Sequence, residues 1–107
     1  MPNNYTNAKV DLTTTNATVL YTAPAATTSL VKSILVSEDT GNADTITVTI
    51  TDAAAAVFSL FKVLAVASNT TVELLSEPIV VKENETLKVT ADTANRLHVV
   101  ASLLEIS

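Results

Sequence analysis

The sequence contains no cysteine, one glycine, one histidine and no tryptophan, and each scarcity closes off a kind of chemistry. Without cysteine there is no disulfide and no thiolate metal site. With Gly41 alone, no glycine-rich loop exists to cradle a phosphate. His98 as a general base or ligand would need a positioned constellation around it. The competing reading is a strand residue that faces solvent or a neighbouring chain. Spacing suggests no serine triad. An enzyme is therefore not expected, and no cofactor or resident metal is implied.

Basic residues are also few. Six lysines and arginines stand against eleven acids, for a net charge of −5. Lys9, Lys32, Lys62, Lys82, Lys88 and Arg96 are well separated. Nucleic-acid binding needs a cationic stripe that displaces counterions, and an anionic membrane would repel this chain. Neither partner is expected. Met1-Pro2-Asn3-Asn4-Tyr5 has no charged or apolar leader region, so no signal peptide is expected. The longest apolar stretch, Ala53 to Ala67, is broken by Ser59 and Lys62 and falls short of the roughly 20 residues of a spanning helix.

Aliphatic residues and threonine make up for these absences. The hydrophobic fraction is 48% but the aromatic fraction only 4%, so the core must be built from Val, Leu, Ile and Ala. The run Thr45-Ile46-Thr47-Val48-Thr49-Ile50-Thr51 alternates strictly. It predicts a half-buried strand with an apolar face and a threonine face toward solvent or a polar subunit contact. Leu30 to Ser37 reads as a second strand, Leu30, Lys32, Ile34 and Val36 alternating with Val31, Ser33 and Leu35. Between the two, Glu38-Asp39-Thr40-Gly41-Asn42-Ala43-Asp44 reads as a hairpin loop, Gly41 supplying positive φ. Its oxygens raise the question of Ca²⁺, but they do not follow the calcium-loop pattern. Glu83 and Glu85 sit in a turn with no cleft between them, which argues against a glycosidase pair.

Further strands are expected at Tyr5–Leu12, Ala17–Thr22, Thr71–Leu75, Ile79–Val81, Thr86–Ala91 and Arg96–Ile106, with Asn84 left-handed in a turn. Asp52 and four alanines resemble a helix start. The β-branched and aromatic residues that follow favour a loop and then a strand near Val57 to Val63. About eight short strands with turn signals every 8–12 residues predict an all-β antiparallel sandwich, jelly-roll or immunoglobulin-like. One domain spans 1–107, with 1–16 an N-terminal arm or edge strand. If Val57 to Val63 is a strand, apolar side chains leave both faces. Phe58, Leu60 and Phe61 then either lie between two layers or form a subunit interface.

Leu20-Tyr21-Thr22-Ala23-Pro24 followed by Leu30-Val31-Lys32-Ser33-Ile34-Leu35-Val36 has a family resemblance. It continues through Glu77-Pro78-Ile79-Val80-Val81, Asn84-Glu85-Thr86-Leu87-Lys88-Val89 and Ser102-Leu103-Leu104-Glu105-Ile106. The order resembles small β-sandwich virion proteins of tailed bacteriophages that infect cyanobacteria and other marine bacteria. In that family a YT-x-P turn leads into a VKSI-x-V strand, and a TLKV strand and an S-x-LEI ending come later. The resemblance covers roughly positions 17 to 106. Asn84-Glu85 departs from the family's Gly-Asp, an exchange a turn accepts. The resemblance implies a virion structural protein, with capsid decoration (cement) as the leading role. Its partners would be the major capsid protein or other virion proteins, and its own state a homotrimer. A tail-fibre or adhesin module and a neck or tail connector are the alternatives. No active-site residue carries over.

Overall fold

A computed structural model describes residues 3–106. Among them are nine strands and no helix: β1 (Asn3–Asp11), β2 (Thr18–Thr22), β3 (Thr28–Glu38), β4 (Asp44–Thr51), β5 (Val57–Val66), β6 (Thr71–Glu73), β7 (Ile79–Val81), β8 (Thr86–Ala91) and β9 (Leu97–Ile106). They form two antiparallel sheets packed as a sandwich. One runs β1-β9-β3-β6, with β7 also on β3; the other runs β2-β8-β4-β5. Only β4 and β5 are consecutive strands that share a ladder. An immunoglobulin-like sandwich keeps several consecutive strands side by side. Here the chain passes repeatedly between sheets, the winding of a jelly roll.

The inner faces follow the period-two rule. Ile46 and Val48 of β4, Leu87 and Val89 of β8 and Leu97, Val99 and Ala101 of β9 are fully or almost fully buried. Each large aliphatic removed from water contributes roughly 1.5–3 kcal/mol, which lets a core almost without rings hold together. Thr45, Thr47, Thr49 and Thr51 point to the opposite side and are partly exposed in mid-sheet. Gly41 and Asn84 have φ of 83° and 64°, the left-handed region expected of both.

Four expectations change. The segment 39–43 is not a hairpin loop: β3 and β4 lie in different sheets, and the loop carries the chain across the sandwich. Strict alternation in β3 also fails. Opposite β9 the register shifts between Val31 and Ser33, and a bulge of this kind inserts one extra residue. Val31 is therefore buried, and so are Ile34 and Val36, while Lys32 is exposed. The strand near Val57 to Val63 runs on to Val66 and shifts register against β4 twice. The strand expected over Thr71–Leu75 stops at Glu73, whose contacts are given below. Asp52 does start a cap, but on a loop: its Oδ1 accepts the N–H groups of Ala54 and Ala56, each at 2.9 Å.

One polar cluster joins the sheets. Tyr21 of β2 donates its hydroxyl proton to Glu105 of β9 at 2.6 Å. The Ser29 hydroxyl of β3, 2.5 Å away, is left to donate to the phenol oxygen. Burial first, then the Glu105 bond, pushes the Tyr21 phenol up to about 12. A raised acid pKa stabilises the fold fully below the ordinary value of 10, and this contribution is lost as pH climbs from 10 toward 12. Tyr21→Phe is expected to cost about 1 kcal/mol at neutral pH. Thermal melts from pH 9 to 12 should show the mutant and wild-type curves converging at the alkaline end.

Candidate interaction surfaces

The acidic residues hold turns. Glu38 ends β3 pointing inward, 1% exposed. One carboxylate oxygen accepts the N–H groups of Gly41 (3.0 Å), Asn42 (3.2 Å) and Asn69 (3.0 Å). The other accepts the Thr40 N–H at 2.9 Å and the Thr40 hydroxyl. Burial alone would raise this carboxyl. The Thr40 hydroxyl and the Asn69, Thr40 and Gly41 N–H groups outweigh it and hold the pKa down to about 2. Asp44 at the far end of the loop accepts the N–H groups of Thr45 and Thr93. The lone pairs of Glu38 and Asp44 that a Ca²⁺ ion would need already face backbone donors, and no group of three metal-ligating side chains occurs among the described residues.

Glu73 does similar work at a sheet margin. β6 and β7 pair with β3 at either end and leave its middle open. There the Glu73 carboxylate accepts the Ile34 N–H (2.9 Å), the Ser33 hydroxyl and the Leu75 N–H (3.1 Å). The carboxylate takes the place of a strand partner for the Ile34 N–H while the Leu74 N–H still donates to the Ile34 carbonyl at 2.9 Å, and the ladder of β6 ends there. Burial raises the Glu73 pKa, but these bonds lower it further than burial lifts it.

Glu83 and Glu85 bind separate backbone N–H groups, those of Ala26 at 2.5 Å and Lys82 at 2.8 Å. His98 lies on the outer face of β9. Its Nε2 is 3.2 Å from the Asp11 carboxylate and its Nδ1 3.7 Å from that of Asp39, and its cross-strand neighbour on β3 is Ser37. An open cleft of about 430 Å³ lies between Asp44, Asp92 and Arg96; Asp44 already accepts the Thr45 and Thr93 N–H groups, and Arg96 donates to the Ala43 carbonyl at 3.0 Å.

The surface of the sandwich therefore consists of faces and edges. β5 is an outer strand, and the three residues singled out on it are split by its bulges. Phe58 is 55% exposed, while Leu60 and Phe61 are half-buried against the core. On the outer face of the other sheet, Tyr5, Leu104, Leu30 and Val80 lie in one cross-strand row over β1, β9, β3 and β7. Tyr5 is 72% exposed, with the Lys32 ammonium 5.5 Å from its ring centre. Sequence reasoning missed this row because its members come from four distant segments and only strand register brings them together.

The sequence matches no family model and no curated protein. Among solved structures, it is similar to a chain from the Bacillus endospore appendages, which form a novel family of disulfide-linked pili. The TM-score is 0.60 at 10% identity, over 99% of this chain and 87% of that one. At that identity the likeness is one of fold. The disulfides have no counterpart in a sequence without cysteine.

Proposed function

We propose that this chain is a structural, non-catalytic subunit of a particle or appendage, most specifically a bacteriophage capsid decoration protein. The observation that carries the reading is where the polar groups point. Glu38, Asp44, Glu73, Glu83 and Glu85 cap backbone, whereas exposed apolar residues lie on sheet faces and edges. The fold likeness to an appendage chain supports a structural role. The jelly-roll winding supports it by analogy, since viral capsid and lectin domains share it. On this reading the protein sits on the virion surface and contacts the major capsid protein or other virion proteins. It stabilises the assembled shell by binding it and not the free subunits. A homotrimer is the association the sequence resemblance implies.

Quantitative gel analysis of purified virions tests this. Decoration requires copies in proportion to the capsid subunits, and a few copies per particle would exclude it. Such a low number is the result expected of the second reading, a tail-fibre, adhesin or connector component, which the appendage likeness favours. A sugar-binding form of that reading is weakened by the scattered aromatics. Tyr5 lies beside Lys32 on one sheet, while Tyr21, tied to Glu105, and Phe58 lie on opposite edge strands of the other.

A further inference from the structure

The outer strands are protected unequally. An unpaired strand edge is a template for another strand, and proteins blunt such edges with bulges, short length or charge. β5 has two register shifts, Lys62, and Val63 at φ 52°. β2 has five residues and a register shift. β6 and β7 have three residues each, with the Glu73 carboxylate between them. β1 is neither short nor bulged. Its nine residues pair with β9 without a register shift from Asn3 to Asp11, and among the described residues nothing pairs with its other side. Its only charges are Lys9 and Asp11, which cancel.

We propose that the free edge of β1 pairs antiparallel with β1 of a second copy, Asn7 facing the partner's Asn7 on a two-fold axis. Backbone phase fixes this register. The Leu12 N–H donates to the Leu97 carbonyl at 3.0 Å, so along the alternating ladder Val10, Ala8 and Thr6 also turn their N–H groups to β9. Tyr5, Asn7 and Lys9 turn theirs outward. Pairing Asn3 with the partner's Asp11, Tyr5 with the partner's Lys9 and Asn7 with itself joins outward groups to outward groups along the whole strand. Moving the centre to Lys9 opposes two ammonium groups; moving it to Tyr5 leaves only the first half of β1 paired. In the chosen register no like charges stand directly opposite each other across the new ladder, and the partner's Lys9 lies opposite Tyr5, whose ring is 5.5 Å from the Lys32 ammonium. The apolar row ending at Tyr5 then continues through the partner's Lys9 to the partner's Val100 and Leu35. The contact is isologous and closes on itself. It leaves the threonine face and β5 free for a capsid or three-fold contact. A strand pair covers less than the roughly 800 Å² per partner of a stable complex, so the association is concentration-dependent.

The absence of cysteine makes the test clean. The full chain carrying Asn7→Cys, oxidised at sub-millimolar concentration, should form a covalent dimer, because paired strands bring the two Cα atoms within disulfide reach. Lys9→Cys should stay monomeric under the same oxidant, since in this register the two copies of position 9 lie roughly 13 Å apart along the strands. In the cysteine-free chain, sedimentation should show a dimer at high concentration. Asn7→Lys should weaken it at least tenfold, with partial recovery in salt. Circular dichroism and matching melting temperatures establish that the variants fold. Equal cross-linking at both positions, cross-linking at neither, or association unchanged by Asn7→Lys overturns the proposal. The result stands apart from the virion reading, because the isolated chain is what is measured.

Discussion

Glu38→Ala is expected to lower the melting temperature by on the order of 10 °C, the largest effect of any polar substitution in the molecule. The carboxylate binds four backbone N–H groups in two loops, 39–43 and 67–70, and without it they lose their common acceptor. Glu38→Gln should fare little better. Both oxygens already accept, so the amide nitrogen must face a donor whichever way it turns. The pH dependence gives the distinguishing measurement. The carboxyl is held at about 2 in the fold, against an ordinary 4.5. A depressed acid pKa stabilises the fold fully above the unfolded value, and the contribution is lost as pH falls from 4.5 toward 2. The stability gap between wild type and Glu38→Gln should therefore be widest at neutral pH and shrink through that window. Urea melts at a series of pH values measure it, and a gap that does not change with pH would show that the carboxylate is not the anchor.

The second large effect is expected within β4. Ile46→Ala should cost roughly 2–5 kcal/mol, because Ile46 is fully buried in mid-sheet between Ala91 and Leu64 and truncation leaves a cavity. Net stabilities of small domains are about 5–15 kcal/mol, so this one change removes a large share. Three residues along, Thr49→Ala points to the outer face and should move stability by roughly 0.5 kcal/mol or less. Chemical denaturation of the two variants reads the strand's register directly. Similar losses would mean that the threonine face is packed, against the arrangement described.

This contrast shows which parts of the fold were legible. In β4 each residue's chemistry matches its face, so period two was visible from the letters alone. Gly41 and Asn84 were legible because few residues adopt positive φ. In β3 Lys32 and Ser33 together occupy the bulge, and a bulge leaves no compositional mark beyond the break in phase it causes. Glu38 falls in the segment whose composition predicts a hairpin loop, and nothing in the letters marks it as buried, since a buried carboxylate is rare unless its partners are prearranged. Those partners include Asn69, thirty-one positions away. The interaction surfaces were least visible. Phe58, Leu60 and Phe61 could be picked out as adjacent apolar residues, but their separation into one exposed and two half-buried side chains depends on register shifts in β5. The β1 edge becomes apparent only once the protection of every other margin is known.

The placement of β9 has a consequence for how the molecule is made. This strand, last of the nine in the chain, occupies the middle of its sheet, with Ile106 opposite both Asn3 and Thr28. Until it inserts, β1 and β3 have no common neighbour and their facing backbone groups are left unpaired, bonded only to water. Contacts this distant in sequence slow folding. A nascent chain therefore exposes two adhesive margins for the whole interval before its final strand emerges. Cells producing it at high rate are expected to lose material to aggregation at this step, and a cooler culture should recover it by giving the final strand time to insert.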